Sequence, residues 1–108
     1  MKQLLEQIIA FRNERNWEQF HTGENLAKSI SIEAAELLEC FQWQHEVEDL
    51  EHLKEELADV LIYSLLMVDR YHFDFEAIIK EKLEKNNKKY PAQKAYGNHK
   101  KYNKLEGK

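Results

Sequence analysis

The sequence predicts an all-α fold of four helices. Two observations carry that expectation: the charged residues, 33% of the chain, fall mostly between apolar residues at helical spacing, and three Gly and one Pro are few for a protein full of tight turns. At 108 residues the chain makes one domain, of a size where burial is limited and association often helps.

The first helix is expected from about Lys2 to Asn16, where Leu4, Leu5, Ile8, Ile9 and Phe11 form an amphipathic stripe. A loop, Trp17 to Glu24, follows because Thr22-Gly23 breaks the helical pattern. Asn25 is the expected N-cap of a second helix, about Leu26 to Trp43, since its side-chain oxygen can accept from the first-turn amides. Gln44 to Asp49 is polar and acidic, hence a connection. The third helix should span about Leu50 to His72, and Asp74 should cap a fourth, Phe75 to about Lys88. Tyr90-Pro91 ends it, because proline disfavours the helical conformation of the residue before it.

Several classes are excluded or disfavoured at once. The longest apolar run is far shorter than the roughly 20 residues of a membrane span, and no signal-peptide pattern is present. The single cysteine, Cys40, has no internal disulfide partner, which suits a reducing cytoplasm. The five His residues (21, 45, 52, 72 and 99) lack paired ligand spacing, so a zinc site is disfavoured. A di-iron site needs Glu-x-x-His on two helices, and only Glu18/His21 has that form.

Charge is unevenly spread. Residues 80–108 hold ten Lys against three acids, net +7, which leaves −11 on residues 1–79 from the total of −4. An acidic body with a basic tail suits either a metal with an anionic ligand or a nucleic-acid arm.

The most telling charge is Asp59, alone in the apolar run Leu57 to Val68. An ionised carboxylate in such a setting is costly unless a cation or several donors compensate it. On a wheel of about 100° per residue, the third helix is apolar almost all round and carries one narrow polar stripe, Glu56, Asp59 and Tyr63. Glu55 and Asp69 fall off this line, towards the helix ends. On the second helix Glu33 and Glu36 occupy a gap, with Ser29 and Cys40, between a broad apolar face and Ile32 and Trp43.

Spacing alone decides nothing, because acids three apart also occur at Glu36/Glu39, Glu46/Asp49, Glu48/Glu51 and Glu81/Glu84. Such pairs most often lie in water. Apolar flanks distinguish Glu33/Glu36 and Glu56/Asp59, since like charges crowded in a low-dielectric groove repel unless a cation sits between them. Oxygen-only ligands suit a hard divalent ion, Mg²⁺ or Mn²⁺, that keeps some waters and shares a substrate phosphate.

The runs Trp17-Glu-Gln-Phe-His21, Asn25-Leu-Ala27, Glu33-Ala-Ala-Glu36-Leu-Leu-Glu39-Cys-Phe-Gln-Trp43, Glu55-Glu56-Leu-Ala-Asp59-Val-Leu-Ile-Tyr63 and Lys82-x-x-x-Asn86-x-x-x-Tyr90-Pro91 together resemble the MazG-like nucleoside triphosphate pyrophosphohydrolases. The likeness is greatest to the short single-domain members of dCTP pyrophosphatase type. It implies a four-helix MazG-like fold over residues 1–91, assembled as a helical-bundle homo-oligomer, a tetramer before a dimer, with sites built from more than one subunit. It implies Mg²⁺-dependent cleavage of a nucleoside triphosphate between the α and β phosphates, releasing a monophosphate and pyrophosphate. By the same matching, Glu33, Glu36, Glu56 and Asp59 would be the catalytic metal ligands, and Lys82 and Asn86 would contact phosphate or sugar. Trp17, Phe20, His21, Trp43 and Tyr63 would line the base pocket. Residues 92–108 form a basic tail expected to close over the site, where Lys100 or Lys101 could join Lys82 in offsetting the pyrophosphate charge.

Each of these residues also has a plainer reading. Trp17, Phe20 and Trp43 would commonly be core aromatics, Tyr63 could bury its ring and bond Asp59, and His21 could be satisfied by loop backbone. The whole chain could instead be a non-catalytic helical module gripping nucleic acid or an acidic partner through Lys88, Lys89, Lys100 and Lys101, in a salt-sensitive way and without metal. A nucleotide sensor without turnover is a third reading, disfavoured by four intact acids. The third helix, apolar almost all round, needs more partners than three short helices supply, which independently predicts a homo-oligomer.

Overall fold

The computed structural model describes residues 1–97. Among them every regular element is helical: α1 (Lys2–Glu14), a short 3₁₀ turn (Glu18–Phe20), α2 (Gly23–Glu39), α3 (Leu50–Arg70), α4 (Phe75–Lys89) and α5 (Ala92–Ala95). The chain divides into two compact units, Met1–Phe73 and the part from Asp74 onward. No helix among the described residues is long and apolar enough to cross a membrane.

In the first unit α3 packs along α2 over most of its length and touches α1 as well. Leu65, Leu66 and Val68 of α3, Leu26 of α2 and Ile8 of α1 are buried together with Cys40 and form the small core. Capping decides where the helices begin. Thr22, and not Asn25, caps α2: its backbone is extended, and its Oγ1 accepts from the Asn25 amide at 3.1 Å. Asn25 lies inside the first turn and its Nδ2 donates to the Phe20 carbonyl at 2.9 Å, which ties the 3₁₀ turn to α2. Asp49 and Asp74 cap α3 and α4 by accepting from His52 and Ala77.

Gly23 is therefore the first residue of α2 and no helix breaker. A Cβ there would collide with the Tyr71 hydroxyl, so glycine allows the end of α3 to close on the start of α2. Helix ends differ from expectation in one consistent way. α1 stops at Glu14, α2 at Glu39 and α3 at Arg70, each short of the expected end, and the residues that follow form turns. Asn16 and His72 adopt left-handed backbone (φ 55° and 56°) just past α1 and α3, where a helix must unwind.

In the second unit α4 spans Phe75–Lys89, as the Asp74 cap and Tyr90-Pro91 stop lead one to expect. The four-residue α5, opened by Pro91, was not anticipated. Lys100 and Lys101, and most of the tail assigned to residues 92–108, lie outside the described residues.

Candidate metal centre and adjoining cleft

The long pairing of α2 with α3 sets the acids of both helices face to face. One carboxylate oxygen from each of Glu33, Glu56 and Asp59 lies within 4.8 Å of the other two. Glu36, one turn beyond Glu33, stands against both Glu33 and Glu56. All four side chains are half-buried.

The electrostatics follow from crowding. Glu33 is pushed up to about 7, first by a hydrogen bond with Glu36 that requires a shared proton, then by burial, then by the charges of Glu36, Asp59 and Glu56. Glu56 is also raised, by burial foremost and by Glu36 next, with His52 opposing. His52 Nε2 stands 3.8 Å from Glu56 Oε1, so one edge of this carboxylate has company. The other edge does not: Glu56 Oε2 and Glu33 Oε2 are buried without any hydrogen-bond partner. Orphaned buried oxygens are rare, and together with Asp59 these two could hold a metal ion.

Asp59 has a second role in the geometry. It also lines a cleft of about 170 Å³ between α1 and α3. Trp17, Tyr63 and His21 give that cleft aromatic walls, and Tyr63 and His21 meet edge to face with centroids 6.4 Å apart. Ile8, Phe11, Ile62 and Leu66 make the rest apolar. His21 Nδ1 is buried without a partner, and burial with the nearby Arg12 charge lowers its pKa, keeping the ring neutral near pH 7.

The structure thus brings Trp17, His21 and Tyr63 to the cleft that Asp59 closes. Phe20 and Trp43 do not line it: Phe20 is exposed on the 3₁₀ turn, and Trp43, past the end of α2, is 88% exposed. Trp17 itself is half open to solvent, so none of these three rings is a core aromatic of this chain. Lys82 and Asn86 belong to the second unit, one turn apart on α4, where they line a shallow hollow with Ile78, Ile79 and Leu83.

One cleft residue was not anticipated. Arg12 is 5% exposed, the buried charged residue among those described, and its Nη1 donates to Asp69 Oδ2 at 2.7 Å. Asp69, expected at a solvated helix end, is instead its counter-ion. The legible signal was an arginine in line with Leu5 and Ile8 on the apolar stripe of α1.

A MazG-like family model matches residues 28–105. The chain belongs to the MazG-like family. This MazG-like chain is 45% identical to a pyrophosphatase of Archaeoglobus fulgidus whose crystal structure superposes with a TM-score of 0.76, covering 84% of this chain and 92% of that one. It is 36% identical over 104 residues to dCTP pyrophosphatase 1 of Rattus norvegicus and of Homo sapiens, alignments that take in 88% of this chain and 61% of each relative. The chain therefore spans about three fifths of the length of those curated relatives.

Proposed function

We propose that this chain is a Mg²⁺-dependent nucleoside triphosphate pyrophosphohydrolase, cleaving between the α and β phosphates to give a monophosphate and pyrophosphate. The observation that carries this reading is the pairing of two orphaned carboxylate oxygens, Glu33 Oε2 and Glu56 Oε2, with an aromatic cleft that shares Asp59. Relatives named pyrophosphatase and dCTP pyrophosphatase support the reaction class, and the latter name favours a dCTP-like substrate; the role proposed is house-cleaning of dCTP-like or non-canonical deoxynucleotides.

The donor set fits the ion. Four carboxylates and no nitrogen or sulfur suit Mg²⁺, with Mn²⁺ as the alternative, so Glu33, Glu36, Glu56 and Asp59 would hold it. Bound there, the ion would neutralise phosphate oxygens and ready a water for in-line attack. The chain's own residues do the rest. One of the four carboxylates takes the proton of the attacking water, Trp17 and Tyr63 stack the base, and His21 offers it a hydrogen-bonding edge. Lys82 and Asn86 contact phosphate or sugar, and Lys82 offsets charge on the leaving pyrophosphate.

The same reading includes a cytoplasmic homo-oligomer, tetramer before dimer. Leu57, Leu61 and Ile62 of α3 and Ile32 and Leu38 of α2 are exposed, which supports an apolar helical interface between copies. Phe20 and Trp43 would then complete the base pocket from another copy, and residues 92–108 would close over it. Sedimentation at micromolar concentration should find a dimer or tetramer; a monomer removes this part.

A panel of canonical and modified nucleoside triphosphates, assayed for pyrophosphate with and without Mg²⁺, tests the reaction. Metal-dependent release is expected, with deoxynucleotides ahead. Salt-sensitive nucleic-acid binding with no metal requirement and no pyrophosphate would favour the interaction module instead.

A further inference from the structure

We infer that Arg12 is a specificity-determining residue of the cleft, donating from its guanidinium to a carbonyl oxygen of the bound base; the inference rests on the nucleotide reading above. An arginine taken out of water is costly unless its charge is matched and its donors are used. The charge is matched by Asp69 at 2.7 Å. The donors are only partly used: Nη1 serves Asp69, Nε donates to Asn13 Oδ1 at 3.0 Å, and Nη2 has only Glu18 Oε2 at 3.7 Å, beyond hydrogen-bond length and on a largely exposed carboxylate. Arg12 therefore lines the cleft, and its Nη2 donors make no hydrogen bond among the described residues.

The chemistry of that occupant follows from the surroundings. Because Asp69 already neutralises the guanidinium, the site favours a neutral acceptor over a second anion, and phosphate belongs at the acidic end beyond Asp59. The flat walls of Trp17 and Tyr63 and the aliphatic side chains of Ile8, Ile62 and Leu66 suit a planar heterocycle. A neutral acceptor on a planar heterocycle is a ring carbonyl. Cytosine carries one such carbonyl and uracil two, each beside a ring nitrogen; adenine carries none. A site built to donate to such an oxygen rejects an analogue lacking it, since the buried donor is then left unpaired.

The experiment compares kcat/KM for dCTP, dUTP and dATP, with Mg²⁺, in the full-length wild type, Arg12→Lys and the double variant Arg12→Leu/Asp69→Leu, which removes both charges and leaves neither stranded. The double variant should lose roughly 10- to 100-fold on dCTP and dUTP, mainly through KM, and change less than about twofold on dATP. Arg12→Lys should fall between, because a single ammonium cannot both pair with Asp69 and keep the fork. If the double variant does not fold, Arg12→Lys reads the same ratio. Equal losses on all three substrates, an unchanged ratio with a lower Tm, or a wild-type preference for dATP would each overturn the assignment and leave a merely structural ion pair. Wild type that releases no pyrophosphate from any nucleotide brings down the parent reading and this inference with it, whereas active wild type with an unmoved ratio removes Arg12 alone.

Discussion

Glu33/Glu36 on α2 and Glu81/Glu84 on α4 are the same sequence feature in different solvents. Both are acids three apart on a helix, so each pair lies on one face. Glu81 and Glu84 are exposed. Glu33 and Glu36 are half-buried opposite Glu56 and Asp59, and there Glu33 is pushed up to about 7. The spacing creates a pair; the facing helix makes it a cluster. What separates a solvated surface from a candidate metal centre is the second set of acids brought against the first, half-buried, where water screens the repulsion less.

The largest expected effect breaks this contrast at one atom. Asp59→Asn should reduce Mg²⁺-dependent pyrophosphate release by more than about 100-fold, because a metal ligand contributes several kcal/mol of transition-state charge stabilisation. The fold should survive, since the change removes one repelling charge from a crowded group. Glu81→Gln, the same chemistry on the exposed pair, should leave the rate and the Tm unchanged. Comparable losses in the two variants would mean that position opposite α2 confers nothing.

A second contrast runs between two tryptophans. Trp17 lines the cleft, packed edge to face on Phe11 with centroids 5.8 Å apart, while Trp43 stands 88% exposed beyond α2. Trp17→Ala should raise KM roughly 10-fold with little change in kcat, the scale of one base-stacking contact. Trp43→Ala should raise it less, as Trp43 does not line this cleft. A KM unmoved in Trp17→Ala would show that the base lies elsewhere.

How far the sequence discloses this arrangement depends on distance along the chain. Helix bodies are legible because amphipathic periodicity is local, and Asp74 marks the start of α4 because a cap acts within three residues. The start of α2 is misread because Thr22 and Asn25 are both good caps, and Asn25 is instead engaged with the Phe20 carbonyl while Thr22 caps the helix. That Glu33, Glu56 and Asp59 come together is foreshadowed by their apolar flanks. Arg12 and Asp69 are 57 residues apart, and no periodic pattern on one helix announces a counter-ion on another. The apolar surface of α3 is a similar case: the helix reads as apolar almost all round, yet among the described residues Leu57 and Leu61 stay about half exposed.

The smallest effect sharpens the first contrast through pH. In the folded chain Glu33 lies near 7 against an ordinary value of 4.5, so between those limits the native state holds a proton that the unfolded state has lost. Stability of the metal-free protein should therefore be greatest, for this group, below the lower limit, and should fall as pH rises towards the upper one. A drop in Tm of a few degrees across that window is the expected size, and Glu33→Gln should flatten it. Mg²⁺ held by the proposed cluster would act in the opposite sense, because it would bind the deprotonated acids and displace the shared proton. Saturating Mg²⁺ should raise Tm by roughly 5–10 °C at pH 8 and by clearly less at pH 5.5, whereas the exposed Glu81/Glu84 pair contributes to neither trend. Equal stabilisation at both pH values would place the ion on carboxylates that carry no shared proton, and so outside the α2–α3 cluster.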